Sequence, residues 1–556
     1  GRSITALLGA GTVAFTYILG RDVAGKWAGI LAALFLAVNP LHLRESQTIA
    51  VDVPMTFFST WALVEAIRIQ RTRSSAAFIR GGIAVGLAAS SKYTGAILLV
   101  PLLAAHFFAP QRSRRSLVML LGTAVAAFVF TSPFVLIDFS TFWRDLSIEN
   151  RHMAVGHFGD DPSGTLHDYA GVIGMNALSW PLAGASLISL VDFAAIKRQR
   201  WAWILGSFLA VYALLVANWS MRADRYLLPI VPSALVLAGA IFAAAFQARA
   251  ARWVSRQARS ALLWIGIAII VGSLIRIDLH EWKKRSRDTR AEAKQWIETH
   301  VPSGALLLTD PYAPDLFDAL ELIFLDPDVR ARSAARLENR SIYAMLQLPM
   351  FQVEPERSAP YYDLSLYPDV DLIITSGPIR SRYLEDRARF PKQSAFYDSL
   401  DATYQKIQEF APEESGGPQL TLYINPQEPN VFASRTKLAG PLPLKRGPTP
   451  VTEEAFFYYQ WGIAYEFFGF IEPALQAFAI AEAALAQRPQ LHRNIALAIA
   501  RCIFAAGDPK TAAASLRQAS AQMPNAQDRQ ALLEFERFLD QQKEAPARQK
   551  VLSTSP

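Results

Sequence analysis

The stretch "GGIAVGLAASSKYTGAILLVPLLAAHFF", Gly81–Phe108, decides how this chain is laid out. As one helix it would run about 40 Å, longer than the roughly 30 Å hydrocarbon core of a bilayer. Two basic connections flank it, "RIQRTRSS" (68–75) before and "PQRSRRS" (110–116) after. The positive-inside rule places both in the cytoplasm, so the segment between them has to leave and return. At its midpoint, Gly86, Ser90, Ser91 and Lys92 interrupt the apolar run. The pattern predicts two short helices whose turn, Ser90–Tyr93, reaches the outer side. Irregular backbone at that depth requires a protein or water lining.

With this hairpin in place the rest of the first half alternates cleanly. Further apolar segments lie at 3–20, 27–43, 51–67, 117–138, 177–196, 201–217, 227–247 and 261–277. The remaining basic connections, "GRDVAGK" (20–26), "KRQR" (197–200) and the arginine-rich 247–259, all fall on the cytoplasmic side. A chain of 556 residues that is 52% hydrophobic and 19% charged is too apolar for an ordinary soluble protein. The net charge of +7 sits mainly in short loops, which argues against a nucleic-acid-binding face. Cys502 is the one cysteine, so no intrachain disulfide forms.

The outer face then holds Arg2, 44–52, 90–93, the long loop 139–176, 218–226 and everything after Arg276. Charges near a bilayer are costly, and convergent ionisable groups there mark a site. "HLRESQTIAVDVPMTFF" (42–58) brings Glu45 and Asp52 to the lip of two membrane helices. Asp52 stands just before Val53-Pro54, close to the start of a helix, where a carboxylate can either cap amides or face a reacting group. Glu45 either faces the same cavity or pairs with Arg44 or Lys92. Lys92 and Tyr93 at the hairpin tip suit a phosphate head group at the lipid surface, against the plainer alternative of a snorkelling lysine. "NWSMRADRYLLPIVP" (218–232) brings Arg222, Arg225 and Tyr226, with Asp224 placed to orient an arginine fork. "ENRHMAVGHFGDDPSGTLHDYAG" (149–171) carries His152, His157, His167, Asp160, Asp161 and Asp168. Their spacing matches no tight metal motif, so no metal ligand set is assigned and His157 is favoured as a proton-handling group. A glycosyl transfer needs what this face offers: a base for a weakly nucleophilic hydroxyl, and cations for a departing phosphate.

The second half reads differently. Residues 278–428 predict a small α/β domain, with an amphipathic helix and a Pro-Ser-Gly turn before the strand "GALLLTD". Further strands are expected at 367–376, 403–410 and 419–424. A Pro-rich linker follows at 429–451, then helices at 452–541 and a disordered tail at 542–556. Gly469, Ala474, Phe478 and Ala481 recur 38 positions later as Gly507, Ala512, Leu516 and Ala519. The first unit resembles a tetratricopeptide repeat, which offers a docking surface for a protein partner or, equally, a packing appendage.

"PLHLRESQTIAVDVPMTFF", "GLAASSKYTG", "GHFG" and "RYLLPIVP", in that order, resemble the GT-C superfamily of membrane glycosyltransferases, closest to the protein O-mannosyltransferase and aminoarabinose-transferase type (glycosyltransferase family 39-like). The likeness spans about 1–280, a polytopic α-helical membrane domain (1–277) ahead of the α/β and tetratricopeptide-like segments. It implies a hexosyl or pentosyl transferase that moves sugar from a polyprenyl-phosphate-linked donor to a protein, lipid or glycan acceptor. Transfer is expected on the extracytoplasmic face of a bacterial inner membrane, with the C-terminal domains on that side. No cofactor is assigned with certainty; a divalent metal ion is left open, and no nucleic acid is involved. Asp52 matches the family's second acidic position, Lys92 its hairpin lysine, and Arg225-Tyr226 the Arg-Tyr opening a late helix. With Glu45 and His157 as further catalytic candidates, the donor phosphate falls to Lys92, Tyr93, Arg222, Arg225, Tyr226 and Arg2. The chain opens at what resembles the family's second helix, so either the family's main catalytic carboxylate lies upstream of Gly1 or the expected base is missing, and that residue is not assigned. The competing expectation is a non-enzymatic membrane scaffold that recruits envelope proteins. A transporter is disfavoured, since the halves show no inverted repeat.

Overall fold

The computed structural model describes residues 1–541 except 73, 111–112, 157–164, 248–255, 317–340, 342, 352–354, 368–369, 413–415, 427–451, 485–488 and 524. It divides into two compact units, Gly1–Trp282 and Lys283–Pro556. The expected linker and tail lie outside the described residues.

The first unit is a polytopic helical membrane domain. Its helices are α1 (Arg2–Ala24), α2 (Lys26–Ala37), α3 (Pro40–Ser46), α4 (Asp52–Arg71), α5 (Ser75–Ser91), α6 (Leu99–Phe108) and α7 (Arg114–Thr131). Then come α8 (Phe134–Ile137), α9 (Phe139–Val155), α10 (Thr165–Val172), α11 (Trp180–Leu190), α12 (Arg200–Ala217), α13 (Val231–Gln247) and α14 (Arg256–Ser286). Among the described residues five helices are long and apolar enough to cross a membrane, or six if α2 and α3, which meet at a 61° bend, form one span. The bend has a local cause. Asn39 caps α3 by accepting from the His42 amide at 2.9 Å, while Pro40 fixes the first turn.

The hairpin read from 81–108 is present. α5 ends at Ser91, Lys92 is extended, and a tight helical turn, Tyr93–Leu98, leads into α6. Gly95 permits the reversal: a Cβ there would lie 2.4 Å from the Ala88 backbone carbon. Two expectations change. The apolar run 117–138 ends as a helix at Thr131, because Ser132-Pro133 breaks it. The segment 139–176, expected as a loop, carries α9 and α10.

At the other end of α4 the bundle buries a charge that composition alone did not flag. Glu65 is 0% exposed; it accepts from Arg68 at 2.8 Å and from both Arg80 nitrogens at 3.0 Å. Arg71 reaches the Val23 carbonyl at 3.5 Å, and Arg200 the Phe108 carbonyl at 3.3 Å, so the basic connections close on their neighbours. Glu65→Ala strands two arginines and is expected to cost on the order of 2–3 kcal/mol, at the lower end for breaking a buried pair because both arginines are partly solvated. Thermal unfolding of the full chain in detergent checks this; an unchanged melting temperature would refute it.

In the second unit α15 (Thr289–His300) precedes β1 (Leu306–Thr309), β2 (Ala344–Gln347), β3 (Leu372–Ser376), α16 (Gly377–Glu385), α17 (Pro391–Thr403), β4 (Gln405–Phe410) and β5 (Leu420–Ile424). The sheet order is β2-β1-β3-β5-β4, with β1 parallel to β2 and β3, and β5 antiparallel to its two neighbours. One sheet face, through Leu307, Leu372, Ile374 and Leu422, packs on Ile297 of α15. β2, an Ala-Met-Leu-Gln run without a β-branched or aromatic residue, was not foreseen. Its edge is closed by α18 (Thr452–Phe467): the Gln347 amide donates to Gln460 Oε1 at 3.1 Å, and Tyr361 packs on Phe457 at 4.6 Å.

α18 begins a helical run continued by α19 (Ile471–Ala484), α20 (Pro489–Ala505), α21 (Pro509–Gln522) and α22 (Ala526–Gln541). Gly469 and Gly507 turn the two hairpins with φ of 80° and 92°, a conformation that costs other residues about 1 kcal/mol or more. Successive first helices are tied by ion pairs 35 residues apart, Glu466 with Arg501 at 2.7 Å and Arg493 with Asp528 at 2.8 Å.

Asp310, just past β1, is fully buried and accepts from the Ser376 amide at 2.9 Å and the Tyr397 hydroxyl at 3.0 Å. Burial dominates and pushes its carboxyl up to about 7. The folded pKa lies above the unfolded value of roughly 4, so folding takes up a proton between about pH 4 and 7 and stability falls as pH rises through that window. Melting of this unit is expected at higher temperature at pH 5 than at pH 7.5, and Asp310→Asn should flatten the difference. A steeper dependence in the variant would contradict the assignment.

Candidate functional site

Three segments far apart in sequence supply the site. α4 begins at Asp52; Lys92 is the extended residue between α5 and the turn into α6; Asp224–Ile230 is a tight helical turn that opens α13. Asp52 is 2% exposed. Lys92 Nζ donates to its Oδ1 at 2.8 Å, and Arg225 Nε stands 3.6 Å from its Oδ2. The Asp52 side chain caps no amide of α4, so its carboxylate is turned to the two cations.

Aromatic rings flank Lys92, which is 18% exposed; Arg225 stands 47% exposed. Lys92 Nζ lies 4.2 Å from the Tyr226 ring centroid and 5.9 Å from that of Trp219, whose rings meet edge-on at 5.4 Å. The Arg225 guanidinium lies 5.5 Å from the Tyr226 ring. Ring faces attract cations most strongly where water is excluded. Trp219 was not singled out in the sequence; its place in the outer-face stretch beside Arg222 and Arg225 was the available signal. The hairpin tip is pinned by Ser90 Oγ to Ser132 Oγ at 2.7 Å, which fixes where Lys92 points.

A second chain of charges adjoins the first. Arg44 Nε donates to Glu45 Oε1 at 2.8 Å, and Arg44 also reaches Asp224 Oδ2 at 3.3 Å. Glu45 is buried and paired with Arg44, the structural alternative weighed for it, while Asp224 engages Arg44 and stands next to Arg225 in sequence.

The remaining candidates fall elsewhere. Tyr93 turns from the cluster: its ring packs on Phe128 at 6.4 Å and Phe142 at 5.7 Å. There it lines a cavity of about 500 Å³ with Ser132, Phe134, Asp138, Phe142 and Glu149. A tight turn rotates successive side chains by roughly 120°, so neighbours 92 and 93 diverge. Arg2 is exposed at the start of α1, and Arg222 is half-buried in the segment before Asp224. His157, Asp160 and Asp161 lie outside the described residues. Among those described, no group of three or more His, Cys, Asp or Glu is placed to hold a metal ion.

Residues 1–137 match the family model described as dolichyl-phosphate-mannose-protein mannosyltransferase, in line with the resemblance carried by the motifs in that region. No curated protein matches the chain. Among solved structures, ArnT from Cupriavidus metallidurans in the apo state is 14% identical with a TM-score of 0.43, covering 76% of this chain and 83% of that one. The same protein bound to undecaprenyl phosphate is 12% identical, covering 78% and 85%, with a TM-score of 0.40. The oligosaccharyltransferase AglB from Archaeoglobus fulgidus, in complex with an inhibitory peptide and a dolichol-phosphate, is 13% identical, covering 77% and 64%, with a TM-score of 0.37.

Proposed function

We propose that this chain is a membrane glycosyltransferase that takes a sugar from a polyprenyl-phosphate-linked donor and delivers it to an acceptor at the extracytoplasmic surface. The observation that carries the reading is the gathering of Asp52, Lys92, Arg225 and Tyr226 at one set of helix ends. The match of residues 1–137 supports the same chemistry. A lipid tail keeps its phosphate at the bilayer lip, where these cations stand.

In this mechanism Lys92 and Arg225 hold the phosphate oxygens and stabilise the charge that grows as the bond from the sugar anomeric carbon to phosphate breaks. Both oxygens of Asp52 already face cations, so Asp52 positions the pair. The bond from the acceptor oxygen to the anomeric carbon forms as the acceptor proton leaves to a separate base; His157 is the candidate, since Glu45 is buried and held by Arg44. Tyr226 and Trp219 keep the ammonium in place with little water around it.

The direct test supplies the full chain in lipid nanodiscs with polyprenyl-phosphate hexoses and pentoses and follows free polyprenyl phosphate in the presence of acceptor peptides, lipids or glycans. Release that depends on acceptor supports the reading; none with any donor overturns it. Sidedness is checked separately with single cysteines at Gln47 and Arg198 in a Cys502→Ser background. An impermeant maleimide should label position 47 and spare 198 on intact cells, and the reverse would place the reaction on the other side.

A further inference from the structure

The second unit contains a cleft that its sheet was not required to have. α16 and α17 stand over the face of the sheet opposite the apolar core, and such a covered face is ordinarily filled with apolar side chains. Here the strands present Thr375, Thr421, Tyr423, Lys406 and Glu409, and the helices answer with Arg380 and Asp401 around about 400 Å³ of space. Thr375 and Thr421 are only 2% and 8% exposed and form a shielded floor, while the Arg380–Asp401 and Lys406–Glu409 pairs stand at the solvent-facing rim.

The backbone is shaped to make this face. Along a regular strand, Lys406 and Glu409 would point to opposite sides, since side chains alternate. An irregularity between Lys406 and Gln408 resets the register, so that Lys406 pairs with Tyr423 and Glu409 with Thr421. Tyr423 and Thr421 share one face, and the bulge therefore turns both charges into the cleft. Bulges that re-aim a side chain are common beside binding sites.

The charges in the cleft balance. Arg380 engages Asp401 through both terminal nitrogens, and Lys406 engages Glu409, which also accepts from Gln419. Tyr423 bridges the first pair, accepting from Arg380 at 2.9 Å and donating to Asp401 at 2.7 Å. The arginine and lysine partners hold the Asp401 and Glu409 carboxyls below the usual range, so both stay charged at neutral pH. Two cations and two carboxylates leave no net charge to attract a phosphate or an amine; either would meet a like charge at close range. A hydroxyl donates and accepts at once, and so satisfies such a grid without stranding a charge. Leu384 and the Tyr423 ring supply an apolar wall, and the volume falls within the 300–1,000 Å³ typical of small-molecule pockets.

We propose that this cleft binds a neutral saccharide unit. It is a binding site, separate in residues and chemistry from the cluster at Asp52, and nothing in it depends on the transfer reaction.

The experiment uses the full chain in nanodiscs and saturation-transfer NMR with methyl glycosides of mannose, glucose, galactose and arabinose, plus neutral disaccharides, with inorganic phosphate and lysine as charged probes. At least one neutral glycoside is expected to receive saturation, the charged probes none. Ser381→Trp, at the exposed rim, fills the cleft and should abolish the signal while leaving the melting temperature in place. Glu409→Gln removes a charged acceptor from the cleft and should weaken binding at least tenfold, an independent reading should the tryptophan disturb folding. The proposal is overturned if no glycoside binds, if binding survives both substitutions, or if phosphate or lysine is the ligand retained. Each result is independent of whether the chain releases polyprenyl phosphate.

Discussion

Asp52→Asn is expected to lower sugar transfer by about 10²–10³-fold, roughly 3–4 kcal/mol of transition-state stabilisation. The amide keeps the size of the side chain and an oxygen for Lys92, now 2.8 Å from the carboxylate. What it removes is the negative charge that lets Lys92 and Arg225 sit together. Without it the two cations repel, and the phosphate meets them in the wrong places. The loss should appear in kcat, with little change in melting temperature, because the hydrogen bond survives. If transfer by Asp52→Asn equals that of the natural chain, the cluster is not the site.

Lys92→Met should have an effect of similar size, which also reaches the binding of the donor. Methionine preserves the unbranched stem that lies against Tyr226 and Trp219, and discards the ammonium. The expected result is a fall in kcat/KM of about 10²-fold, shared between a raised KM for the lipid-phosphate donor and a lowered kcat, because the ammonium both holds the phosphate and stabilises the charge that grows on it. Combining both substitutions gives a sharper reading. If Asp52 acts by holding Lys92, the double variant loses far less than the product of the single losses. If Asp52 takes the acceptor proton itself, the losses multiply, and the acid limb of the pH–rate profile disappears with Asp52→Asn.

Much of this arrangement is legible in the sequence. Apolar run lengths anticipated helices in this region and the reversal at Lys92, although among the described residues only five helices, or six with the bent pair, are long and apolar enough to cross a membrane. The same alternation led to the expectation that Asp52, Lys92 and Arg225 share one side. Their proximity to one another was beyond it, because periodicity sets the side of a membrane and leaves lateral packing open. Tyr93 shows the limit at the scale of one residue: the chain turns tightly just after Lys92, and the ring faces the neighbouring cavity. Glu65 escaped notice because a glutamate in "TWALVEAIRIQR" reads as an ordinary exposed helix charge. Its burial follows from Arg80, which approaches from α5. In the second unit the strands rich in Leu, Ile and Tyr were legible, whereas β2 lacks β-branched and aromatic residues and the turn of Glu409 into the cleft depends on one extra residue in a strand that otherwise alternates.

The Gln460 side chain has a consequence for anyone shortening this protein. By accepting the Gln347 amide, it occupies a hydrogen-bonding position that an edge strand otherwise offers to passing chains. A version trimmed after residue 426 would bare that margin together with Tyr361, which rests on Phe457. Such a fragment would be inclined to self-associate through strand addition, so preparations meant to isolate the α/β portion should retain α18.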